Sequence, residues 1–422
     1  MNLFANSTHS NSLLISIIIT SLVLIIRDIV GIDINQYMIF LLMSVCFIIL
    51  PKRDVHSYLA FTCGIVYGVN AYILLVGVCT ILLKDSKIIS KNFCFILFFL
   101  ILIFWEIVNC NVHYLDPQFS NILLYAANLL VFFYYFLKPK RIASNRETLL
   151  FYSIGLGLTI FIICVGILRN PLDLVFDTAS DVRGAMGFSD DHNETHFFAN
   201  ANNLAYLSIV LSSLVLSLRK QIFHSNVVFY TLLILSLLAG LLSSSRTWTL
   251  LCILLFILLF LLINFKTKLK AVIISFVIVA IILSIFPNFI TVTFEGILGR
   301  FELDNLATAG NRTNLFNEYS NFMSSNSEYT LTGTGAIYYK DIAKCSNSCH
   351  NAFQQIYVAY GLLGCIFFIS AFFMSIRNRE RSCSIINYLP FIFALLFIQS
   401  IQFLNPFYLM IPVAFTSIAY KI

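Results

Sequence analysis

Charge is what this sequence has least of. Only 11% of its 422 residues are Asp, Glu, Lys or Arg, where a soluble protein carries roughly a quarter. That shortage excludes an ordinary water-facing surface. Proline (8) and tryptophan (2) are also scarce, while phenylalanine (42) and isoleucine are plentiful. We read this bias as a coding background rather than a function. Hydrophobic residues fill the gap at 59%, with a mean hydropathy of +0.89. They come in runs of about 17 to 25, the length that crosses a hydrocarbon core of about 30 Å as a helix. Lipid offers the backbone no hydrogen-bond partner, so such runs must be helical or form a closed barrel. No period-2 alternation is present, which leaves helices. The expected fold is an all-α polytopic membrane protein, a single integral domain over 1–422.

The net charge of +6 is not a nucleic-acid signal, and no nucleic-acid partner is expected. The basic residues sit in short clusters between apolar runs, the pattern that orients membrane helices. Most of the eleven cysteines, such as Cys46, Cys164 and Cys252, lie inside apolar segments and read as small hydrophobes. The run Leu13–Ile26 has no basic flank before it and no small-residue cleavage site after it, so we expect a retained first helix.

Apolar runs place helices near 11–30, 36–51, 57–83, 92–109, 119–137, 148–168, 200–218, 226–242, 247–263, 270–287, 351–375, 386–402 and 405–420. The 57–83 run contains Gly64, Gly68, Asn70 and Gly77, so it is either one tilted helix or a tight hairpin. The expected count is therefore about 12 to 14. Clusters at Lys84–Lys91, Lys138–Arg146, Arg219–Lys220, Lys266–Lys270 and Arg377–Arg381 are assigned to the cytoplasm. This leaves two large loops on the far side, 169–199 and 288–350. Turns of a few residues would serve a bundle with nothing to do there.

Four clusters in these segments can carry chemistry. Ser243-Ser244-Ser245-Arg246-Thr247 puts a guanidinium at a helix mouth. Its planar fork matches phosphate oxygens; the plain alternative is an arginine snorkelling to lipid headgroups. Gly310-Asn311-Arg312-Thr313, followed by Gly333-Thr334-Gly335, offers a second anion clamp beside tight turns; the plain alternative is a solvated loop arginine. Cys349-His350-Asn351, running into Gly361-Leu362-Leu363-Gly364, puts an imidazole at a helix start. The dipole there opposes a positive charge, which favours the neutral form that a general base needs. Alternatively His350 only contacts the helix end. Arg183, followed by Asp190, Asp191, His192, Glu194 and His196, gives a third clamp and a set of metal-capable side chains. Loops hold such sets by chance, and we assign no metal and no cofactor. Cys345 and Cys349 can be bridged or reduced; four apart on a regular helix is poor disulfide geometry.

Three arginines and one histidine thus face one compartment. Fixed positive charge meets a leaving diphosphate as its charge develops, and an incoming hydroxyl needs a base. The set suits metal-independent group transfer. A secondary transporter or flippase would instead place charges near helix midplanes. Here the helix centres are almost free of them, and Glu106 lies close to an end. A non-catalytic scaffold would need none of these residues.

Taken in order, Ser245-Arg246-Thr247, Gly310-Asn311-Arg312, Gly333-Thr334-Gly335 and His350-Asn351 with Gly361–Gly364 resemble the O-antigen polymerase and O-antigen ligase superfamily. Asn200–Leu204 fits the Asn-rich helix start of these proteins. The likeness covers roughly 180–375. It implies a GT-C-like fold and glycosyl transfer at the periplasmic face of the bacterial inner membrane. The implied partners are an undecaprenyl-diphosphate-linked oligosaccharide, the lipid bilayer and a chain-length regulator protein. Carried over, Arg183, Arg246 and Arg312 bind the diphosphate, and His350 activates the acceptor hydroxyl. The chain departs from the family's paired Arg-x10-Gly pattern: position 194 is Glu, and Arg300 reaches Gly310 one residue early. Of the two activities, the biased composition points to a polymerase, with the ligase as the alternative.

Overall fold

The computed structural model describes residues 11–84, 93–113, 119–137, 145–169, 186–187, 198–199, 201–217, 226–243, 245–262, 273, 280, 284, 312–349, 351–377 and 389–398. The helices expected at 270–287 and 405–420 lie wholly or almost wholly outside these residues. Elsewhere the apolar runs become helices. They are α1 (Asn11–Ile25), continued by one π-helical turn (Ile26–Val30), α2 (Gln36–Ile49), α3 (Lys52–Ile65), α4 (Ile73–Lys84), α5 (Phe93–Val112), α6 (Phe119–Leu137) and α7 (Asn145–Arg169). After them come α8 (Ala201–Ser217), α9 (Asn226–Ser243), α10 (Arg246–Leu262), α11 (Arg312–Ser325), α12 (Tyr329–Thr332), α13 (Tyr339–Ala343), α14 (Ala352–Arg377) and α15 (Leu389–Ile398). The extended pairing among the described residues is a two-residue antiparallel ladder, Met186–Gly187 with Phe198–Ala199, which pinches together the chain between α7 and α8.

Local chemistry sets the helix ends. Asn35 caps α2 by accepting from the Tyr37 amide at 2.8 Å. Leu50 is extended because Pro51 follows it, which ends α2. Pro51 then opens α3, which begins at Lys52 rather than near 57. The 57–83 run is a hairpin, turned by a short 3-10 stretch (Val66–Gly68) before α4. The hairpin tip defines one end of the bundle. There Arg27 forks onto Asp28 at 2.8–3.1 Å and donates to the Gly68 carbonyl at 2.6 Å, while the Tyr72 hydroxyl donates to the Ser120 carbonyl at 3.0 Å. The opposite end gathers base. Lys84 donates to the Phe47, Ile48 and Leu50 carbonyls, directly before Lys52 and Arg53.

α3 is the axis of the bundle, buried from Asp54 to Ile65. It packs along α7, where backbone meets backbone: a Cβ on Gly155 would stand 2.3 Å from the Phe61 carbonyl oxygen. Close approach of small residues is how helices associate without a hydrophobic driving force between them. Several polar side chains inside the bundle pair with one another or with backbone. Thr159 donates to the Gly64 carbonyl (2.7 Å), Tyr58 pairs with Thr20 (2.8 Å), and His56 pairs with Tyr134. Further along, Trp248 of α10 lies over Gly240 of α9, its indole N–H donating to Ser208 of α8 at 2.8 Å. Outward, α1, α2, α5 and α10 expose large apolar side chains, among them Ile18, Leu22, Leu41, Ile48, Phe104, Ile253 and Phe260. Apolar surface on this scale is untenable in water and ordinary against lipid. Among the described residues, three stretches, Asn11–Val30, Leu149–Ile167 and Asn226–Ser243, are long and apolar enough to cross a bilayer, and several shorter apolar helices accompany them.

Candidate functional site

The site is organised by a break in a helix. The 351–375 run reads as one continuous span, but α14 is interrupted at Gly361, where φ is 60° and ψ is −158°. No side-chain-bearing residue adopts this pair readily. The break deprives the Val358 and Ala359 carbonyls of their usual helical donors four residues on. The Gly333-Thr334-Gly335 motif supplies replacements. The Thr334 amide donates to Val358 at 2.9 Å, its hydroxyl donates to the same oxygen at 3.1 Å, and the Gly335 amide donates to Ala359 at 2.8 Å. Both glycines have positive φ, and a Cβ on Gly333 would lie 2.3 Å from the Ala359 carbonyl carbon. Two motifs that stand apart in the sequence are therefore two sides of one backbone junction.

The junction continues to a residue that sequence reasoning passed over. The next two amides, Ala336 and Ile337, donate to the Glu106 carboxyl group of α5 at 2.8 and 3.3 Å. Glu106 is 1% exposed, so it is not a peripheral charge at a helix end. Six residues of α5 follow it (107 to 112), so the loop dips about 9 Å below that helix end at 1.5 Å per residue. The buried Tyr125 lies beside the carboxyl group. A lone acid inside a 20-residue apolar helix was the available signal, because such a residue is costly to keep without a partner.

Above the junction, the 312–349 segment folds around Tyr319, Met323, Tyr339 and Cys349, which pack on Val358. Tyr319 donates to the Asn347 carbonyl (2.7 Å), and Glu318 accepts from the Ser346 amide (3.1 Å). Tyr329 pairs with His113 at the end of α5 (3.2 Å), so the segment stands at the hairpin-tip end of the bundle. Burial pushes the Tyr339 phenol up to about 12, although the Ser348 side chain and the Cys349 amide pull the other way. Between α11 and the start of α14 lies an open cleft of about 710 Å³. Phe316, Phe353, Ser320, Asn351 and Gln354 are among its walls, and no charged residue lines it among the described residues.

Cys345 and Cys349 are free thiols. Burial pushes the Cys349 thiol up to about 11. It therefore stays protonated at neutral pH. Iodoacetamide at pH 8 is expected to alkylate Cys349 about a hundredfold more slowly in the folded protein than in the denatured chain. Equal rates in peptide mass spectrometry would contradict this.

The sequence-predicted residues fall as follows. Arg246 is the first residue of α10, half-buried, just after a turn in which the Ser243 hydroxyl bonds Gly240. Arg312 is the first residue of α11. Asn351 caps α14, accepting from the Phe353 and Gln354 amides at 3.0 and 3.1 Å. The capping residue is thus the one directly after His350 in the sequence. His350, Arg183 and the 190–196 set lie outside the described residues. The structure does bring together the Arg312 helix and the chain that enters α14: Gln354 donates to the Phe316 carbonyl at 2.7 Å and to Ser320 at 3.1 Å.

Fold and site together define a polytopic all-α membrane protein whose broken helix is braced by a long inter-helix segment. Residues 231–369 match the family model described as O-Antigen ligase, in agreement with the O-antigen polymerase and ligase superfamily. The match takes in Arg246, Arg312, Gly333–Gly335, His350 and Gly361, and a lipid-linked glycan is the substrate class that the family implies. No curated protein matches the chain.

Proposed function

We propose that the protein is an O-antigen polymerase working at the periplasmic face of the bacterial inner membrane. It joins undecaprenyl-diphosphate-linked oligosaccharide repeat units. In the transfer, the bond between the donor's anomeric carbon and the diphosphate oxygen breaks. A new bond forms from that carbon to an acceptor hydroxyl. His350 takes the hydroxyl proton. Arg183, Arg246 and Arg312 meet the charge left on the diphosphate, and no metal takes part. The observation that carries this reading is the packing of the Arg312 helix against the entry to α14, inside the matched segment. Its position at the end of the bundle away from Lys52, Arg53 and Lys84 supports the periplasmic assignment. A chain-length regulator is the expected protein partner.

The family description favours a second reading, a ligase that transfers the glycan to lipid A core. Deleting the gene and running surface polysaccharide on a gel separates the two. Core capped by a single repeat unit is the expected outcome. Core with no repeat attached would make the protein the ligase, and an unchanged ladder would remove both readings.

A further inference from the structure

We propose that Glu106 is a positioning residue: from outside the family-matched segment, it sets the depth at which the Gly333–Ile337 loop is seated against the broken helix. This rests on the glycosyl-transfer reading above and assigns that site a part from the other half of the chain.

Three observations carry it. The carboxyl group is buried, and both of its oxygens accept from the Ala336 amide, at 2.8 and 3.0 Å; one also accepts from Ile337 at 3.3 Å. These amides need such a partner, because a buried N–H without an acceptor is costly. The preceding amides are already committed to Val358 and Ala359. The loop is thus held on both sides, by α14 through Thr334 and Gly335 and by α5 through Ala336 and Ile337. Finally, the turn is shaped to admit the carboxyl group. A Cβ on Gly335 would stand 2.9 Å from Glu106 Oε2 and 3.2 Å from Asn109 Nδ2, so only glycine lets the backbone come this close.

The consequence runs through the loop to the site. Residues 333–337 connect α12, packed on α14, to the Tyr339–Cys349 stretch that leads into His350 and Asn351. A loop free to lift from α5 would carry that stretch with it and loosen the geometry between the Arg312 helix and the α14 entry. Small displacements at such positions cost heavily in group transfer.

Hydrogen exchange of the full-length protein in lipid nanodiscs, read by overlapping peptides, tests this together with surface polysaccharide from the same variants. Glu106→Gln keeps size and leaves one acceptor oxygen. It should speed exchange at Ala336 and Ile337 at least tenfold, leave α3 and α7 protected, and cut polymer yield. Gly335→Ala, which leaves the α5 sequence unchanged and pushes the loop off the carboxyl group, should do the same if the Gln variant fails to insert. Unchanged exchange in the inserted variants would overturn the tie. Faster exchange with wild-type polysaccharide would overturn the positioning role. Wild-type polysaccharide from His350→Ala would instead remove the transfer reading, and the exchange result would stand apart from it.

Discussion

His350→Ala is expected to abolish long chains while the protein still inserts in the membrane. A positioned general base contributes about 10²- to 10⁴-fold to such a transfer, and a loss of that size leaves no visible ladder on a gel. Asn351, not His350, caps α14, so replacing the imidazole leaves the cap bonds to Phe353 and Gln354 in place. Loss of activity in this variant should therefore come without loss of fold, which protease protection of the 312–349 segment would report. Arg312→Ala should give the same phenotype for a different reason, the loss of charge stabilisation. Arg312→Lys should restore it only in part, since an ammonium lacks the guanidinium fork. Wild-type chain length in His350→Ala and Arg312→Ala would remove these site assignments.

Gly361→Ala should have a large structural effect at the site. The backbone there has φ 60° and ψ −158°, a region that costs about 1–3 kcal/mol for a residue with a side chain. The added Cβ would also stand 2.4 Å from the Leu331 carbonyl carbon and 2.6 Å from the Thr332 amide. These are backbone atoms and cannot swing aside. The cheapest response is to straighten α14, which returns the Val358 and Ala359 carbonyls to helical donors and expels Thr334 and Gly335. We expect faster proteolysis within 329–345, little change in the α3–α7 core, and no polymer. A variant with wild-type protease resistance would mean that the break is not needed to hold the segment.

The span pattern was legible because it depends on local composition alone. A run such as Phe93–Val112 is helical wherever it ends up, since lipid leaves its backbone no other partner. The helix that Arg246 opens and the start of α14 just after His350 followed from the same reasoning. The 57–83 run was ambiguous because both readings satisfy hydropathy. Contacts of the hairpin tip with Arg27 and Ser120 decided it. The break in α14 was harder to see. Gly361 stands among apolar residues that would otherwise continue the helix, and what breaks it is a loop arriving from outside α14.

By itself, then, the sequence determined that this is a membrane protein of apolar helices, and it marked Arg246, Arg312 and His350 through residue type and order. Only the tertiary structure decided that Gly333–Gly335 completes the hydrogen bonding of a broken helix, and that Glu106 closes the other side of the loop. The reason is sequence distance. Hydropathy and spacing act over a few turns of helix, whereas Glu106 meets Ala336 across 230 positions, a pairing that exists only once the helices have packed and each buried amide has found its acceptor.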